Sequence, residues 1–409
     1  MNNYSFLQIG FFVGDEDFKE NTKADVYPQV AARKLEGRYV DGLMKNAVDL
    51  TVLSFFPASN FPGNKKIWFP FAKNIMQGVS NYSYPFVNII GLKHVSRFFS
   101  CVSFLIKWHL HRDHKRKIII IYSAHSPFLL AALLFKVFLR TPLYVIVPDL
   151  PRHMNFGKKK SALWHFLKKL DASFIDRLIA CTSGVSVVSK NMVVENENWL
   201  KLPYVVIEGM IDAASAPIAR VQLQQKVFMY TGGLNAEYGV QEILSAFEIL
   251  LAERTDIELW LCGSGELVSE IERLAEKYPQ IRYFGYVTQG EIEQLMTQVF
   301  CLLNCRNPDD AFVKYSFPSK LLEYLSSGIP VLTTKLPGVP AEYDEVLNYL
   351  DGGAAGTIAD GIRNTLLCDE SQLQDKARRG RALVLNKKNS QTQVLKFLNL
   401  IFSKDNKYV

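Results

Sequence analysis

The first half of the chain alternates short apolar runs with longer segments whose apolar residues recur at helical spacing. Short strands that are apolar throughout and are separated by helices are typical of a parallel sheet covered on both faces. The predicted helices lie near 27–46, 95–111, 126–139 and 161–174. The predicted strands are Phe6–Phe12, Leu50–Phe55, Ile118–Tyr122, Leu143–Val147, Leu178–Cys181 and Tyr204–Ile207. We therefore expect a Rossmann-like domain over residues 1–209.

The second half repeats this alternation after an irregular stretch near Glu208–Arg220. Its predicted strands are Lys226–Tyr230, Ile257–Cys262, Ile281–Phe284, Phe300–Leu303 and Pro330–Thr333. Its predicted helices are Gly239–Ala252, Glu266–Lys277, 289–297, 318–327 and a helical segment beyond 370. The pattern predicts a second Rossmann-like domain over 210–385 and a helix over 386–409 that crosses back to the first domain. Two doubly wound α/β domains in tandem place ligands at the carboxyl ends of their strands, in an interdomain cleft.

The composition agrees with two folded domains and divides them by charge. The chain has 409 residues, of which 48% are hydrophobic and 21% charged, which excludes wholesale disorder, collagen and coiled coil. Residues 1–209 carry 27 Lys and Arg against 15 Asp and Glu, a net charge of +12. The remaining residues carry 20 against 25, a net charge of −5. We therefore expect the two domains to meet different partners.

The six cysteines and the apolar runs indicate a cytoplasmic protein. No Cys pair has the spacing of a zinc site or a disulfide framework, so buried, reduced thiols are expected. The N-terminal segment lacks the charged region and cleavage site of a secretory signal. Polar residues interrupt the most apolar stretch, Ile118–Val147, which favours strand, helix and strand over a spanning helix.

Residues 314–334 place a short helix before a strand in an order suited to phosphate binding. Pro318 is typical of the first turn of a helix, and Gly328 is typical of the position just past its end. The free N–H groups of a helix start, together with Ser319 and Lys320, suit a diphosphate. Glu323, one turn further on, can accept two hydrogen bonds from a ribose diol. The alternative is a surface helix with a solvated glutamate.

This segment resembles the donor-nucleotide motif of the retaining GT-B glycosyltransferases, specifically the large nucleotide-sugar-dependent family (family four) that assembles bacterial polysaccharides. The family motif has two glutamates separated by seven residues, then a small residue, Gly, any residue, Pro and Val. Glu323 matches the second glutamate and Ser327–Val331 match the rest, whereas Tyr315 stands where the first glutamate is expected. The resemblance implies that Glu323 holds the donor ribose. The departure at Tyr315 affects recognition of the donor sugar.

A pair of glycines after the strand at 226–230 also resembles the family. Gly232 and Gly233 would let backbone approach a phosphate closely, because glycine has no Cβ. In the family an Arg and a Lys of this loop contact the diphosphate, but Gly233 and Tyr238 occupy those positions here.

A diphosphate in a partly dry cleft still needs compensating positive charge. The candidates to supply it are Arg306, Lys314 and Lys320, beside the donor helix. Gly263 lies in a loop resembling the one against which the base and ribose of the donor pack, although an ordinary turn is the alternative.

Two polar residues of the first half follow buried strands and therefore lie at the ligand-binding edge of the predicted sheet. His125 follows the strand at 118–122, and family members often have a His there, near the acceptor and the donor sugar. Asp149 follows the strand at 143–147, where it either orients an acceptor hydroxyl or caps backbone. These two residues are the candidate catalytic groups, and His153 is a less favoured candidate.

The sequence predicts neither a metal site nor another cofactor. Asp15-Glu16-Asp17 has the form of the metal motif of the other glycosyltransferase fold, GT-A, but it follows the first strand in an acidic, exposed loop of the acceptor domain. His109, His111 and His114 lie among cations, which predicts solvated side chains rather than metal ligands.

Residues Lys93–Arg177 hold 16 Lys and Arg against four acids, and this is where the positive charge of the first half lies. Bulky apolar residues alternate with cations here, which suits helices lying on anionic lipid, although a core-facing helix with a solvated basic side is the alternative. Nucleic acid is a poorer partner because no nucleic-acid-binding motif is present. The candidate membrane residues are Lys158, Lys159, Lys160, Trp164, Lys168 and Lys169.

Together these features predict a peripheral enzyme on the inner face of the cytoplasmic membrane. It would transfer a sugar, with retention of configuration, from a nucleotide sugar to a glycan or polyprenyl-diphosphate-linked acceptor of a cell-surface polysaccharide. The alternatives are a non-catalytic GT-B-like scaffold protein of a polysaccharide assembly complex and a GT-B sugar epimerase or small-molecule glycosyltransferase.

Overall fold

The computed structural model describes residues 3–23, 25, 30–111, 114–150, 162–211, 218, 221 and 224–403. Within 162–211, side chains are described from residue 165 onward. The chain forms two compact units. Unit 1 comprises residues 1–210 together with 390–409, and unit 2 comprises residues 211–389. The boundaries lie at 210/211 and 389/390, where the sequence predicted 209/210 and 385/386.

Unit 1 is built on one large sheet and one short strand pair. Its strands are β1 Tyr4–Gly10, β2 Asp49–Ser54, β3 Trp68–Phe69, β4 Ala72–Met76, β5 Val79–Ser83, β6 Phe86–Val87, β7 Arg116–Tyr122, β8 Leu143–Val147, β9 Gly184–Val187 and β10 Tyr204–Val206. The large sheet has the order β10-β9-β8-β7-β1-β2-β5-β4, and β3 pairs with β6. All its pairs are parallel except the antiparallel pair of β4 and β5. The apolar central strands β7 and β8 are buried on both faces, as a covered parallel sheet requires.

Helices connect the parallel strands of unit 1. They are α1 Asp15–Thr22, α2 Val30–Lys45, α3 Leu92–Leu110, α4 Ser126–Leu139, α5 Ala162–Ala180 and α6 Asn191–Val194. Pro127 is the second residue of helix α4, a position in the first turn that suits proline. Arg140, in a left-handed conformation, ends the helix. Within the described residues, no helix is both long and apolar enough to cross a membrane.

Unit 2 has a six-stranded sheet, parallel throughout. Its strands are β11 Lys226–Gly233, β12 Ile257–Ser264, β13 Ile281–Tyr283, β14 Val299–Asn304, β15 Val331–Thr334 and β16 Asn348–Leu350, in the order β13-β12-β11-β14-β15-β16. Its helices are α7 Val240–Leu251, α8 Val268–Lys277, α9 Gln289–Met296, α10 Ser319–Ser327, α11 Ala355–Leu367 and α12 Glu370–Lys387. Both units thus confirm the predicted α/β class with Rossmann-like domains.

The last helix, α13 Ser390–Phe402, packs in unit 1 although it follows unit 2 in the chain. Val394 and Phe397 are fully buried in one hydrophobic cluster with Tyr39 of α2. The hydroxyl of Tyr144 on β8 donates a hydrogen bond to the carbonyl oxygen of Ile401 at 3.2 Å. The helix therefore completes the core of unit 1.

Two predictions for unit 1 were wrong for local reasons. Leu178–Cys181 is not a strand: its first three residues are the last turn of α5, and the next strand is Gly184–Val187. Ile175 and Ile179 of this helix are both buried, four residues apart, so the apolar run belongs to a helical face. The acidic segment at 15–17 is not a loop either. It forms the first turn of α1, where carboxylates interact favourably with the helix dipole.

Several short elements had no clear signal in the sequence. Strands β3 to β6, strand β16 and helix α11 were not predicted. Strand β4 is exposed or half-buried along its whole length, so it lacks the apolar run by which the other strands were found. Helix α9 instead shows its start in the sequence, because Thr288 and Glu291 form a capping box.

All six cysteines are free thiols. Cys101, Cys262, Cys301 and Cys305 are buried, as predicted. Cys181 and Cys368 are exposed, contrary to the prediction, because each follows the end of a helix rather than lying within a strand.

Two glycines of α2 provide a test of the packing of α13. A Cβ at Gly42 would clash with the carbonyl oxygen of Ser390 and with Val394, whereas a Cβ at Gly37 meets only Phe12, at an ordinary 3.5 Å. We expect Gly42→Ala to destabilise unit 1 by about 1–3 kcal/mol through overpacking. Gly37→Ala should stabilise it by up to about 1 kcal/mol, because alanine is the better helix former. The midpoints of urea unfolding would measure both changes, and equal shifts would contradict the assigned packing.

Candidate active site

Two glycines, Gly232 and Gly263, face each other at the paired ends of strands β11 and β12. Gly232 has φ +122° and Gly263 has φ +140°, backbone conformations that residues with a side chain rarely adopt. A Cβ at Gly263 would clash with the carbonyl oxygen of Gly232, and a Cβ at Gly232 would clash with the side chain of Lys320. The glycines therefore leave room for Lys320 to lie directly against the backbone.

The loops that follow these strands hold each other in place. The backbone N–H of Glu266 donates to the side-chain oxygen of Asn235 at 3.0 Å, and the N–H of Ala236 donates to the Glu266 carboxylate at 3.1 Å. A Cβ at Gly233 would lie 2.8 Å from the ring of Tyr238, so this ring covers the glycine backbone. The two loops thus form one pre-arranged surface beside the strand ends.

Helix α10 starts at this edge of the sheet. Pro318 is the residue before its first turn, not within it as the sequence suggested, and no side chain caps the helix start. Ser319 is exposed at the first position. Gly328 ends the helix with φ +77°, as predicted. The hydroxyl of Tyr324 accepts a hydrogen bond from the N–H of Thr231 at 2.9 Å, which ties the helix to strand β11.

Two cations lie together beside these glycines. The ammonium of Lys320 donates to the hydroxyl of Tyr230 at 2.6 Å and lies 4.1 Å from the centre of that ring. It is also 5.4 Å from the ring centre of Tyr238, over which the guanidinium of Arg306 lies at 4.9 Å. Within the part of the chain that the structure describes, neither cation hydrogen-bonds to a carboxylate. Aromatic faces stabilise these charges only partly, so the pair retains a capacity for an anion.

The electrostatics of the pair follow from burial. Burial lowers the pKa of Lys320 to about 7, with a further lowering from Arg306, while Glu323 acts in the opposite direction. Burial also lowers the pKa of Arg306. An incoming anion would restore the charge on Lys320 and be held by it. The arrangement of glycine backbone, free helix start and two half-buried cations therefore suits a diphosphate.

The structure thus brings most of the predicted donor residues to one edge of the unit 2 sheet: Gly232, Gly233, Gly263, Arg306, Ser319, Lys320 and Glu323. Arg306 and Lys320 lie over or beside Tyr238, one of the positions at which the resemblance led us to expect a cation. Lys314 lies in a short turn before α10, with its ammonium 4.8 Å from the ring centre of Tyr315.

The candidate catalytic residues of unit 1 follow two neighbouring parallel strands, β7 and β8. His125 precedes the first turn of α4, and its ring stacks on Phe128 at 4.8 Å between centres. Burial, with additional contributions from nearby cations including Arg97, lowers the pKa of His125 well below its ordinary value, so its ring is neutral at pH 7. Asp149 is exposed in the loop after β8. No hydrogen bond joins these two side chains, and His153 lies outside the described residues.

Sequence reasoning missed the role of Lys93 and Arg97. It counted them only among the cations of the basic region at 93–177, for which contact with anionic lipid is expected, but both are buried, and Arg97 contacts His125. The sequence predicted that α3 is a helix. It did not predict that the loop at 56–60 covers the face of α3 that carries Lys93 and Arg97.

The sequence offered two groups of residues that resemble metal ligands, the acidic residues at 15–17 and the histidines at 109, 111 and 114, and predicted that neither binds a metal. Across the described ranges, no group of three or more His, Cys, Asp or Glu side chains could hold a metal ion. Asp15 forms an ion pair with Arg33. His109 is half-buried rather than solvated as predicted, because it hydrogen-bonds to the hydroxyl of Thr141 at 2.9 Å.

Comparison with known proteins agrees with this geometry. Residues 215–381, which contain every candidate donor-binding residue named above, match the family described as "Glycosyl transferases group 1". No curated protein matches the chain.

Solved structures match over nearly the whole chain. The lipopolysaccharide outer core galactosyltransferase WaaB has a TM-score of 0.63 at 15% identity, covering 98% of this chain and 99% of its own. An α,α-trehalose-phosphate synthase (UDP-forming) from Burkholderia vietnamiensis has a TM-score of 0.65 at 9% identity, covering 99% of each chain. HepE from Anabaena, in complex with UDP and glucose, has a TM-score of 0.62 at 14% identity, covering 98% and 100%. At these identities the likeness shows the fold, which is GT-B.

A segment of unit 2, residues 215–381, therefore matches the glycosyltransferase group 1 family, and the chain has the GT-B fold. Both findings support a transferase enzyme. The family match supports sugar transfer as the reaction class.

The buried position of Lys320 predicts an unusual titration. In the ligand-free protein its ammonium should lose its proton near pH 7, because burial and Arg306 disfavour the charged form. Lysine methylation with a ¹³C label, followed by NMR across pH 5–11, would measure this, and Lys320→Arg would assign the resonance. A resonance that titrates near the ordinary lysine value of about 10.4 would contradict the buried geometry.

Proposed function

We propose that the protein transfers a sugar from a nucleotide sugar to a glycan or lipid-linked acceptor in the assembly of a bacterial cell-surface polysaccharide. The group 1 domain supports the donor class. A structural neighbour named as a lipopolysaccharide outer core galactosyltransferase supports the pathway. Retention of anomeric configuration is proposed from the resemblance of Glu323 and Ser327–Val331 to the retaining family.

The observation that carries the proposal is the pair of half-buried cations, Lys320 and Arg306, at the glycine-lined ends of β11 and β12. In the proposed complex they hold the donor diphosphate together with the free N–H groups at the start of α10. During transfer they stabilise the negative charge that develops on the leaving nucleoside diphosphate. These protein cations supply the compensating charge that a divalent metal would otherwise supply, so we propose that the reaction needs no metal.

Glu323 is proposed to hold the donor ribose. Its side chain is exposed on α10, and it is close enough to Lys320 to act on the pKa of that lysine. It therefore lies one turn from the proposed diphosphate position, which is the separation between a diphosphate and its ribose. Gly263, at the end of β12, packs against the backbone of Gly232. By the resemblance, the remainder of the nucleoside packs against the loop that contains this glycine.

His125 and Asp149 are proposed to act on the acceptor and the transferred sugar. Both follow strands of unit 1 at the carboxyl edge of its sheet, where ligands bind in open α/β folds. A neutral His125, whose Nε2 atom faces Arg97, can donate a hydrogen bond from Nδ1 to a sugar oxygen without introducing a charge.

The donor assignment is tested by nucleotide binding. Glu323→Ala should raise the Kd for the preferred nucleoside diphosphate about tenfold or more, because hydrogen bonds to a charged group contribute roughly 1.5–3 kcal/mol. Glu276→Ala, an exposed glutamate on α8, is the matched control and should leave the Kd unchanged. Calorimetric titrations with UDP, GDP and ADP, in chelator and then with Mg²⁺ or Mn²⁺, would measure both effects. Unchanged affinity of Glu323→Ala, or binding and transfer that require the metal, would contradict the assignment.

We further propose that unit 1 attaches to an anionic membrane surface through the outer faces of α3, α4 and α5. Helix α4 packs against both other helices. Each helix exposes an apolar stripe on the side away from its buried residues. The exposed residues are Leu92, Val95, Phe99, Ile106 and Leu110 on α3, Leu130, Leu134, Val137, Phe138 and Leu139 on α4, and Phe166, Leu167, Leu170 and Phe174 on α5.

The size and the charge of this surface favour a membrane as its partner. Contiguous exposed apolar patches on soluble proteins rarely exceed a few hundred Å² unless they bind something. Phe138 is 78% and Leu110 is 73% exposed. Neither α3 nor α4 contains an acidic residue, and Arg140, Lys168 and Lys169 lie on or beside the stripes. This combination of exposed aromatic and aliphatic residues with cations suits the interface of an anionic bilayer.

This surface is wider than the one predicted from the sequence. Lys158, Lys159 and Lys160 lie outside the described residues, as does the side chain of Trp164. Lys168 is half-buried and Lys169 is exposed, both on α5. Helices α3 and α4 therefore carry most of the exposed apolar residues of the proposed surface.

Vesicle flotation separates the two contributions to attachment. Arg140→Gln, Lys168→Gln and Lys169→Gln together should weaken binding to phosphatidylglycerol vesicles at least tenfold, since each cation contributes about 1 kcal/mol near an anionic surface. Val137→Ser with Phe138→Ser should weaken the part of the binding that persists in high salt. The control changes Arg273, Lys277 and Arg378 of unit 2 to Gln and should leave binding unaltered. Equal flotation of wild type and both surface variants would overturn the proposal.

A further inference from the structure

A second group of cations lies in unit 1, and no acidic side chain among the described residues forms an ion pair with it. Lys93 and Arg97 lie one turn apart on α3 and are only 6% and 3% exposed. His125, at the start of α4, contacts Arg97, and the ring centre of His94 is 5.3 Å from that of His125. Buried Lys and Arg side chains are rare unless they are paired, because removing a charge from water is costly.

Arg97 uses only part of its hydrogen-bonding capacity. One terminal nitrogen donates to the carbonyl oxygen of Phe56 at 2.6 Å, and the other contacts the Nε2 atom of His125 at 3.3 Å. The guanidinium lies 4.3 Å from the ring centre of Phe86, which stabilises its charge in part. Its Nε atom is buried and has no hydrogen-bond partner in the part of the chain that the structure describes.

The contact with Arg97 fixes the tautomer of His125. A guanidinium can only donate, so the Nε2 atom of His125 must accept. The proton of the neutral ring is therefore on Nδ1. That atom is buried and also has no hydrogen-bond partner among the residues that the structure describes. Two N–H donors in contacting side chains thus lack an acceptor, which is uncommon in folded proteins.

Lys93 completes the group. Its ammonium donates to the carbonyl oxygen of Ala58 and to the side-chain oxygen of Asn60, the latter at 3.1 Å. Both partners are neutral, so they satisfy hydrogen bonds without balancing the charge. Burial, together with Arg97, lowers the pKa of Lys93 to about 7, whereas Asp25 acts to raise it. The surroundings of Lys93 therefore disfavour its charged form, and a bound anion would stabilise that form.

We propose that Lys93, Arg97 and His125 form a binding site for the phosphate groups of the acceptor. This inference rests on the proposed function, because it takes the acceptor to be linked to a diphosphate. The charges favour this class of ligand. Lys93 and Arg97 together provide two positive charges, which a diphosphate ester or a phosphate monoester balances and a single carboxylate does not. The unpartnered donors on Arg97 and His125 supply hydrogen bonds to phosphate oxygens.

The position of the group in the fold agrees with this assignment. His125 lies at the carboxyl end of β7 and at the start of the fourteen-residue helix α4, where the helix dipole favours an anion. The site belongs to unit 1, whereas the proposed donor cations Lys320 and Arg306 belong to unit 2. The two groups can therefore be tested separately.

The test measures binding of geranyl diphosphate to the full chain by calorimetry, with saturating nucleoside diphosphate present to fill the donor site. We expect Lys93→Met to weaken this binding at least tenfold. The matched control is Lys107→Met, an exposed lysine on the same helix, which should bind as the wild type does. Arg97→Lys, which keeps the charge but loses the planar group, should give an intermediate loss. Unchanged binding by Lys93→Met and Arg97→Lys would overturn the site.

A second measurement needs no variant that must fold. In the wild type, the NMR resonance of the Arg97 Nε–H group should shift downfield when geranyl diphosphate is added, because that group gains an acceptor. No shift at saturation would overturn the proposal even if the affinities changed.

Comparison of probes identifies the source of the phosphate. Tighter binding of geranyl diphosphate than of inorganic pyrophosphate or glucose 6-phosphate would assign the site to a lipid-linked acceptor, and the reverse order would assign it to a sugar phosphate or free phosphate. Binding of glucuronate, with no response to any phosphate, would overturn the phosphate assignment.

The same samples distinguish this inference from the proposed function. If nucleoside diphosphate binds and sugar is transferred but the unit 1 variants behave as wild type, only this inference fails. If no nucleotide binds, the proposed function fails.

Discussion

Removing a cation from water costs several kcal/mol unless a nearby anion compensates it. Both units of this protein nevertheless contain cations that are buried or half-buried. Lys320 and Arg306 in unit 2, and Lys93 and Arg97 in unit 1, are half-buried or buried. None of these side chains is hydrogen-bonded to a carboxylate among the described residues. Aromatic rings and neutral oxygens hold the side chains in place without cancelling their charge. An anion that arrives at either group therefore meets side chains that are already desolvated and oriented, and it favours their charged form.

The backbone around the unit 2 cations also helps to position them. Gly232 and Gly263 keep strand ends close enough for the lysine to lie against main chain, and Tyr238 covers the adjacent Gly233. The aromatic ring at this position supports Arg306, whereas the resembled family places a cation there itself. In this chain the positive charge beside the glycines comes from Arg306, which follows β14, and from Lys320 on α10.

The sequence allowed the α/β class and the donor loops to be predicted because their signals are local. A glycine pair after an apolar strand, or a proline before a helix and a glycine after it, leaves few alternative conformations. Leu178–Cys181 was mistaken for a strand because an apolar run of four residues fits either a strand or one helical face. The burial of Lys93 and Arg97 was not predicted, because helical spacing does not reveal which face a distant loop will cover. The loop at 56–60, which covers them, is far away in sequence.

The course of the chain through the two units also bears on how the protein is made. Unit 2 is inserted into unit 1, and its two ends leave side by side, since Ile211 and Asn389 form a parallel bridge. Domains generally begin to fold as they leave the ribosome, in order of synthesis. Here the core of unit 1 lacks Val394 and Phe397 until α13 has emerged, which happens only after all of unit 2 has been translated. The half of the enzyme that is synthesised first is therefore the last to be completed, and for the whole of that interval the surface of α2 that receives α13 stays uncovered in the nascent chain.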